Sequence, residues 1–300
     1  MEKEINIKLD INESDRNLIM NHSILNTLNV LAKAIVKLQN LIIDNKSFEP
    51  FILSIQNIID ELANKEKSIN NFKNIGKLIN SLFETIDIFL LSNQLKENII
   101  ANRYADNIKS IIEILKLLIQ EILDRQGKEY EWVEFSKDLL EFNFFAFFGA
   151  VERNSGGKYK IVYNIAVKED NSYMLSFNIN SINDKKVIMP LIFQDIIRDV
   201  VANARKYSNI GSMILVGLNV NKDYIGFAVE DQGIGIPDDE LDKVVNFRYR
   251  ASNSLDKNTN GGGFGLTKAY MLTKEMGGRM WIKSEVNKGT RILIQIPRTS

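Results

Sequence analysis

"ILVGLNVNKDYIGFAVEDQGIGIP" (Ile214–Pro237) decides how the chain folds. It contains two strand patterns, within 212–220 and 224–230, and then a loop punctuated by Gly233 and Gly235. Outward from it the same period of two recurs. Tyr159, Ile161, Tyr163, Ile165 and Val167 alternate with Lys160, Val162, Asn164 and Ala166, and Tyr173, Leu175, Phe177 and Ile179 repeat the pattern. Alternation of this kind marks strands with one buried face. Further strands are expected at 279–284 and 290–296, with helices at 190–207 and 264–276. Pro190 suits a first helical turn, where its missing N–H costs nothing. Gly277 and Gly278 end the second helix. The pattern predicts an α+β domain, a mostly antiparallel sheet with helices on one face.

Before residue 128 the period is different. This part holds one proline, Pro50, and two glycines, Gly76 and Gly127. Ile24, Leu28, Leu31, Ile35, Leu38 and Ile42 step by fours and threes, a heptad-like seam on one helix. The spacing predicts helices over 13–45, 48–67, 69–95 and 97–126. The expected domains are a tail at 1–14, a helical bundle at 15–128, a helical connector at 129–154, and an α+β domain at 155–300. In the connector, "EYEWVEFSKDLLEFNFFAFF" (Glu129–Phe148) supplies aromatics expected to pack between domains.

Composition removes several function classes. The 300 residues are 45% hydrophobic, enough to bury a sizeable core. With 38 basic and 38 acidic residues, there is no electrostatic case for nucleic acid or an anionic membrane surface. There is no cysteine and a single histidine, so any protein metal site must be carboxylate-based. The N-terminal residues have no apolar signal-peptide core. The greasiest run, Phe142–Val151, falls short of the roughly 20 residues that a spanning helix needs. A cytoplasmic protein without a membrane segment is expected.

Two glycine loops carry the chemistry. "VEDQGIGIP" (Val229–Pro237) follows a strand, and "NGGGFGLTKAY" (Asn260–Tyr270) opens a helix. Glycines before a helix let backbone N–H groups approach a phosphate, and the helix dipole assists. Taken alone, "GGGFG" is also read as a flexible loop; it is neither a P-loop nor a dinucleotide fingerprint. Upstream, Asp199 and Asn203 are spaced i, i+4 on one helix face, where such a pair is ordinarily just solvated. A carboxylate and an amide so placed can also hold a hydrated Mg²⁺.

Taken in order, these segments resemble the Bergerat-type ATP-binding domain of sensor histidine kinases. "DVVANARKYS" resembles the N box, "DQGIGIP" the G1 box, "NFRYRASNS" the F-box region, "GGGFGL" the G2 box, and "NKGTRILIQIP" the final G3 strand. The resemblance covers about 155–297 and implies an α/β sandwich that binds ATP and Mg²⁺. It implies that Asn203 coordinates the metal with Asp199 beside it, and that Lys206 reaches a phosphate. Asp231 would accept from the adenine amino group, as an ionised carboxylate only accepts. Gly233 and Gly235 would let the backbone approach the base, with Tyr207, Ile236 and Thr290 lining the pocket. Residues 237–260 would form a mobile lid in which Phe247 packs. Tyr249 and Arg250 would contact ATP, Arg250 stabilising γ-phosphate charge. Gly261, Gly263, Phe264, Gly265 and Leu266 would line the triphosphate.

The N-terminal bundle then acquires a candidate phosphoacceptor. His22 lies off the apolar seam, on a stripe with Asn26, Asn29 and Lys33, so its ring is expected at the bundle surface. "HSILNTLNVL" resembles the family's H box through His22, Asn26, Leu28 and Asn29. It departs from it at Ser23, where an acid is usual, and at Thr27, where many members have proline. The bundle resembles a dimerisation and histidine-phosphotransfer module, but four predicted helices exceed the usual two-helix hairpin. Either an insertion separates the hairpin helices of a homodimer, or one chain builds a whole bundle. The implied activity is autophosphorylation of His22 by ATP, with catalytic roles for Asn26, Asp199, Lys206 and Arg250. The phosphoryl group would then pass to a response-regulator receiver domain. A serine kinase resembling the mitochondrial dehydrogenase kinases, and an ATP-binding scaffold without autokinase activity, are the alternatives.

Overall fold

The computed structural model describes residues 2–41, 48–62, 65–91, 99–163, 169–183, 185–255 and 262–298. The chain divides into two compact units. One comprises residues 12–126 and 149–157, and the other comprises 1–11, 127–148 and 158–300.

The first unit is helical: α1 (Glu13–Met20), α2 (His22–Gln39), α3 (Glu49–Glu61), α4 (Lys65–Leu91) and α5 (Ile99–Asp124). The predicted seam is its core. Ile24, Leu28, Leu31, Ile35 and Leu38 are all buried, while Ile42 lies outside the described residues. Ile75, Ile79, Leu82 and Ile86 repeat the stepping on α4, as do Ala101, Ala105, Ile108, Ile112 and Leu115 on α5. α2 packs against α3 and α5, and α4 against α3 and α5, so four helices close a ring within one chain.

The single helix expected over 13–45 is broken at Asn21, whose backbone leaves helical geometry (φ −89°, ψ 2°). The Asn21 side chain is buried and its Nδ2 donates to the Leu62 carbonyl, 3.0 Å away at the end of α3. Ordinary helix-end chemistry explains the break: α1 stops where an amide finds an orphan terminal carbonyl.

The second unit is built on a seven-stranded sheet. Its strands are β1 (Lys3–Ile5), β3 (Lys160–Val162), β4 (Ser172–Ser181), β6 (Met213–Val220), β7 (Tyr224–Asp231), β8 (Arg279–Glu285) and β9 (Gly289–Pro297), in the order β1-β8-β9-β7-β6-β4-β3. The pairs β3–β4 and β4–β6 are parallel, and the others antiparallel. In the first predicted strand, Ile165 and Val167 lie outside the described residues. Ile214, Val216, Leu218 and Val220 point to the covered face, as do Ile225, Phe227, Val229, Ile294 and Ile296 of their neighbours. α7 (Phe193–Tyr207) lies on that face through Phe193, Ile196, Ile197, Val200, Val201 and Ala204, an i, i+3, i+4, i+7 stripe. α8 (Gly265–Glu275) packs beside it.

Three features depart from expectation. Residues 129–154 are not all helix: β2 (Trp132–Ser136) pairs with β5 (Lys186–Pro190) before α6 (Lys137–Asn154) begins. Pro190 thus closes a strand opposite Trp132, and α7 starts only at Phe193. Of the connector aromatics, Phe144 packs on the sheet of its own unit, its ring centroid 4.2 Å from that of Phe177 on β4.

The third departure is at the N-terminus, expected as a tail. Lys3–Ile5 pairs antiparallel with β8 and buries Ile5 completely. The buried Tyr270 hydroxyl of α8 accepts from the Ile7 N–H at 2.9 Å and donates to the Ile7 carbonyl at 2.8 Å. A Tyr270→Phe variant removes both bonds at once. It is expected to lose about 1–3 kcal/mol in urea unfolding, with faster amide exchange across Lys3–Ile5.

Candidate nucleotide-binding site

Strand β7 delivers Asp231 to the sheet end, where the Gly233 N–H (2.8 Å) and the Thr290 N–H (3.2 Å) donate to one carboxylate oxygen. Burial pushes the Asp231 carboxyl up to about 6, and those two donors oppose the rise only in part. The backbone bonds fix the carboxylate's direction, leaving it an acceptor of one defined geometry.

The glycines around it are dictated by crowding between backbones. A Cβ on Gly233 would come within 2.6 Å of the Tyr207 carbonyl, and one on Gly235 (φ +66°) would overlap the Glu285 carbonyl. The expectation that these two glycines serve approach to a base is thereby supplemented: the protein's own chain already fills the Cβ positions. Gly289 (φ +119°), unnoticed in the sequence, is forced by the carbonyl of Asp231 itself. The loop is tied to its surroundings by Ile234 N–H to Tyr207 O (3.1 Å) and Asn287 N–H to Ile234 O (2.9 Å). Ile236 N–H donates to Ser284 Oγ at 2.8 Å, and that hydroxyl lies 2.8 Å from Thr290 Oγ1. Thr290 therefore braces Asp231 through its N–H while its hydroxyl is held by Ser284.

The other end of the candidate site is assembled from α7, α8 and the segment between β7 and α8. A Cβ on Gly265, the first residue of α8, would sit 3.2 Å from Asn203 Nδ2, so the helix N-terminus abuts the N-box amide. Lys206 is pushed down to about 8, by burial first and then by the neighbouring charges of Arg250 and Arg205. Two cations held close in a half-buried setting favour a polyanion between them. Leu266 is half-buried in the first turn of α8, and the Phe264 ring meets Phe247 edge-on at 5.2 Å. Gly263 (φ +76°) leaves no room for a Cβ beside the Tyr249 carbonyl, 2.9 Å away. Gly261 lies outside the described residues.

The segment expected as a mobile lid is folded over 237–255. Three short 3₁₀ turns, Asp238–Glu240, Lys243–Val245 and Ser252–Ser254, bury Leu241, Val244 and Val245. Buried Glu240 accepts from the Ser252 N–H at 2.8 Å, and Asn253 Nδ2 donates to the Gly235 carbonyl at 3.0 Å. Arg250 donates through Nη2 to the Ser254 carbonyl at 2.6 Å. Residues 256–260 of this segment lie outside the described residues. Glu240 and Asn253 were invisible in the sequence because their partners are loop backbone, which has no periodicity, and Ser284 because it bridges the Ile236 N–H and the Thr290 hydroxyl of β9.

Among the described residues no group of three or more His, Cys, Asp or Glu forms a metal cage. The Asp199–Asn203 pair fits a magnesium ion that brings phosphate and water ligands with it. Asp199 also lies 3.8 Å from Lys268 Nζ, so part of its charge is already matched. In the helical unit, His22 opens α2, and Asn26 Nδ2 lies 2.8 Å from its Nε2. The ring is half-buried, more sheltered than the expected surface position.

Residues 190–300 match the family of histidine kinase-, DNA gyrase B- and HSP90-like ATPases. The adaptive-response sensory kinase SasA of Prochlorococcus marinus is 26% identical over 69% of this chain and 55% of its own length. The sensor histidine kinase WalK of Bacillus subtilis is 32% identical over 34% of this chain and 17% of its own. The crystal structure of full-length ShkA with AMPPNP aligns over 78% of this chain and 46% of that one, at 13% identity and a TM-score of 0.49. The chain thus spans about half the length of SasA and less than a fifth of WalK. Its C-terminal domain is an ATP-binding domain of the sensor histidine kinase type.

Two titrations are expected to bracket nucleotide binding. Asp231 is expected to accept from an adenine amino group most strongly when ionised, so affinity is expected to fall as pH drops through about 6. Lys206 is cationic only below about 8, so affinity falls again above that. Calorimetric titration with ADP is expected to give a bell, with Kd rising by up to roughly tenfold per pH unit beyond either limit. Asp231→Asn flattens the part of the acid limb that belongs to the protein and leaves the alkaline limb.

Proposed function

We propose that this chain, carrying a C-terminal domain of the histidine kinase ATPase type, is an ATP-dependent protein histidine kinase that phosphorylates His22. The observation that carries this reading is the convergence of Asp231, Asn203, Lys206, Arg250 and the α8 N-terminus on one site. In this reading the site joins an adenine acceptor to a polyphosphate cradle. Joined to it is a helical unit whose single histidine matches an H box.

In this reading Asp231 selects adenine, while Tyr207, Ile236 and Leu266 flank the nucleotide. Gly263, Phe264 and Gly265 hold the triphosphate against the dipole of α8. Asn203, with Asp199 beside it, would hold Mg²⁺, which would supply neutralising charge to the polyphosphate. Lys206 and Arg250 hold the γ-phosphoryl in line, Tyr249 contacts ATP, and Thr290 braces Asp231. Rate comes from positioning and from charge matched in a sheltered site.

At the acceptor, the Asn26 amide nitrogen faces Nε2 of His22, which assigns the amide as donor and the ring proton to Nδ1. The lone pair that attacks phosphorus is then the one Asn26 engages, so transfer begins with Asn26 turning away. The same amide can later orient a water against the phosphoimidazole. Ser23 supplies no carboxylate, which removes a contribution typically worth 10²–10⁴-fold in rate. Slow autophosphorylation is the expected consequence.

The phosphoryl group then passes to an aspartate on a response-regulator receiver domain. We place the chain in the cytoplasm, with its ATP; no helix among the described residues is long and apolar enough to cross a membrane. The ring of α2, α3, α4 and α5 favours a bundle completed by one chain over a homodimer that shares it.

Incubation of the full chain with γ-labelled ATP is expected to label the protein in an acid-labile, base-stable form. His22→Gln is expected to abolish that label while ADP affinity stays within about twofold. Undiminished label in that variant, or label that survives acid, overturns the reading.

A further inference from the structure

Lys268 is one of the largest fully buried side chains of the molecule, 1% exposed on α8. Its Nζ lies 2.5 Å from Asp195 Oδ2 and 3.8 Å from Asp199 Oδ2. Arg198 closes the group from the other side, with Nη2 2.6 Å from Asp195 Oδ1. Asp195 and Asp199 are themselves buried, at 4% and 7%. Two carboxylates and two cations thus meet where α7 packs against α8, with Lys268, Asp195 and Asp199 buried and Arg198 partly exposed, balanced in formal charge.

The placement along the helices matters more than the balance. Asp195, Asp199 and Asn203 are spaced i, i+4, i+8, so they form one stripe on α7. α8 runs along that stripe. Gly265 meets Asn203, and Lys268, one turn on, meets Asp199 and Asp195. The stripe leads from a buried ion pair directly to the amide at the phosphate end of the site. Burying a lysine is costly, and well-packed apolar side chains usually fill such a position at least as stably. The following residues on α8, Ala269, Tyr270, Met271 and Leu272, are all buried without such a cost.

We propose that Lys268 is a positioning residue for ATP turnover. It holds the Asp199 carboxylate in place beside Asn203, and it sets the register of the glycine-loop helix against α7. This rests on the reading of Asp199 as a participant at the phosphate end.

The test uses the full chain and three variants, with ATP turnover, ADP affinity and urea stability read for each. Lys268→Met is expected to lower kcat by tenfold to a hundredfold while ADP affinity changes by less than threefold. Lys268→Arg, which keeps the charge, is expected to recover much of the rate. Lys268→Met/Asp195→Asn removes one charge of each sign, so the cluster stays balanced and folded. It is expected to regain stability and keep the low kcat. Return of kcat together with stability in that double variant overturns the proposal, since Lys268 then only neutralises Asp195. So does a rate in Lys268→Met equal to that of the parent. Asp199→Asn separates the two levels. If it turns over ATP at the parent rate with unchanged ADP affinity, the role of Asp199 has failed and the positioning proposal falls with it.

Discussion

The site depends on α7 being used on two faces at once. Its apolar stripe, from Phe193 to Ala204, is committed to the sheet, where the Phe193 and Phe227 rings meet edge to face at 5.9 Å. That contact fixes the helix in rotation. Asp195, Asp199 and Asn203 must then face α8, and Lys206 and Tyr207 must emerge beside the G1 loop. A single hydrophobic constraint therefore orients the Asn203 amide, the Lys206 ammonium and a buried ion pair. No separate device is needed for each.

The strongly periodic parts of this arrangement were legible in the sequence. The alternation from Ile214 to Val220 and the stripe on α7 are local properties, visible in any short window. So was the seam from Ile24 to Leu38. The ordered glycine boxes were legible as motifs, and at Gly233, Gly235 and Gly289 the excluded Cβ would strike the protein's own carbonyls. What stayed hidden was non-local. β1 has three residues and pairs with Met280–Ile282, far along the chain. The β2–β5 ribbon joins segments on either side of α6 and two sheet strands. Lys268 reads as an ordinary helix lysine until Asp195 is seen opposite it.

The histidine segment shows how one side chain redirects a helix. A periodic sequence invites a continuous helix from Glu13, but the Asn21 amide is captured by the Leu62 carbonyl, and α2 starts afresh at His22. The break places the candidate acceptor in a first helical turn, where partial positive charge favours a phosphoryl group. Further along, Thr27 Oγ1 bonds back to the Ser23 carbonyl at 2.8 Å, so the two departures from the H-box pattern are joined to each other. Thr27 thereby occupies Ser23's backbone without supplying the missing acid.

The division of the chain has a consequence for how the ATP unit can exist apart from the rest. The polypeptide passes between the two units after residues 11, 126, 148 and 157, so neither is a contiguous stretch. A fragment beginning at 127 would carry every nucleotide-binding box and still lack β1. Its sheet would then end at β8, with a row of backbone N–H and C=O groups bare and the Tyr270 hydroxyl stripped of Ile7. Such an edge is a template for any extended strand in reach, including that of a second molecule. The opening residues are thus the native stopper of the sheet.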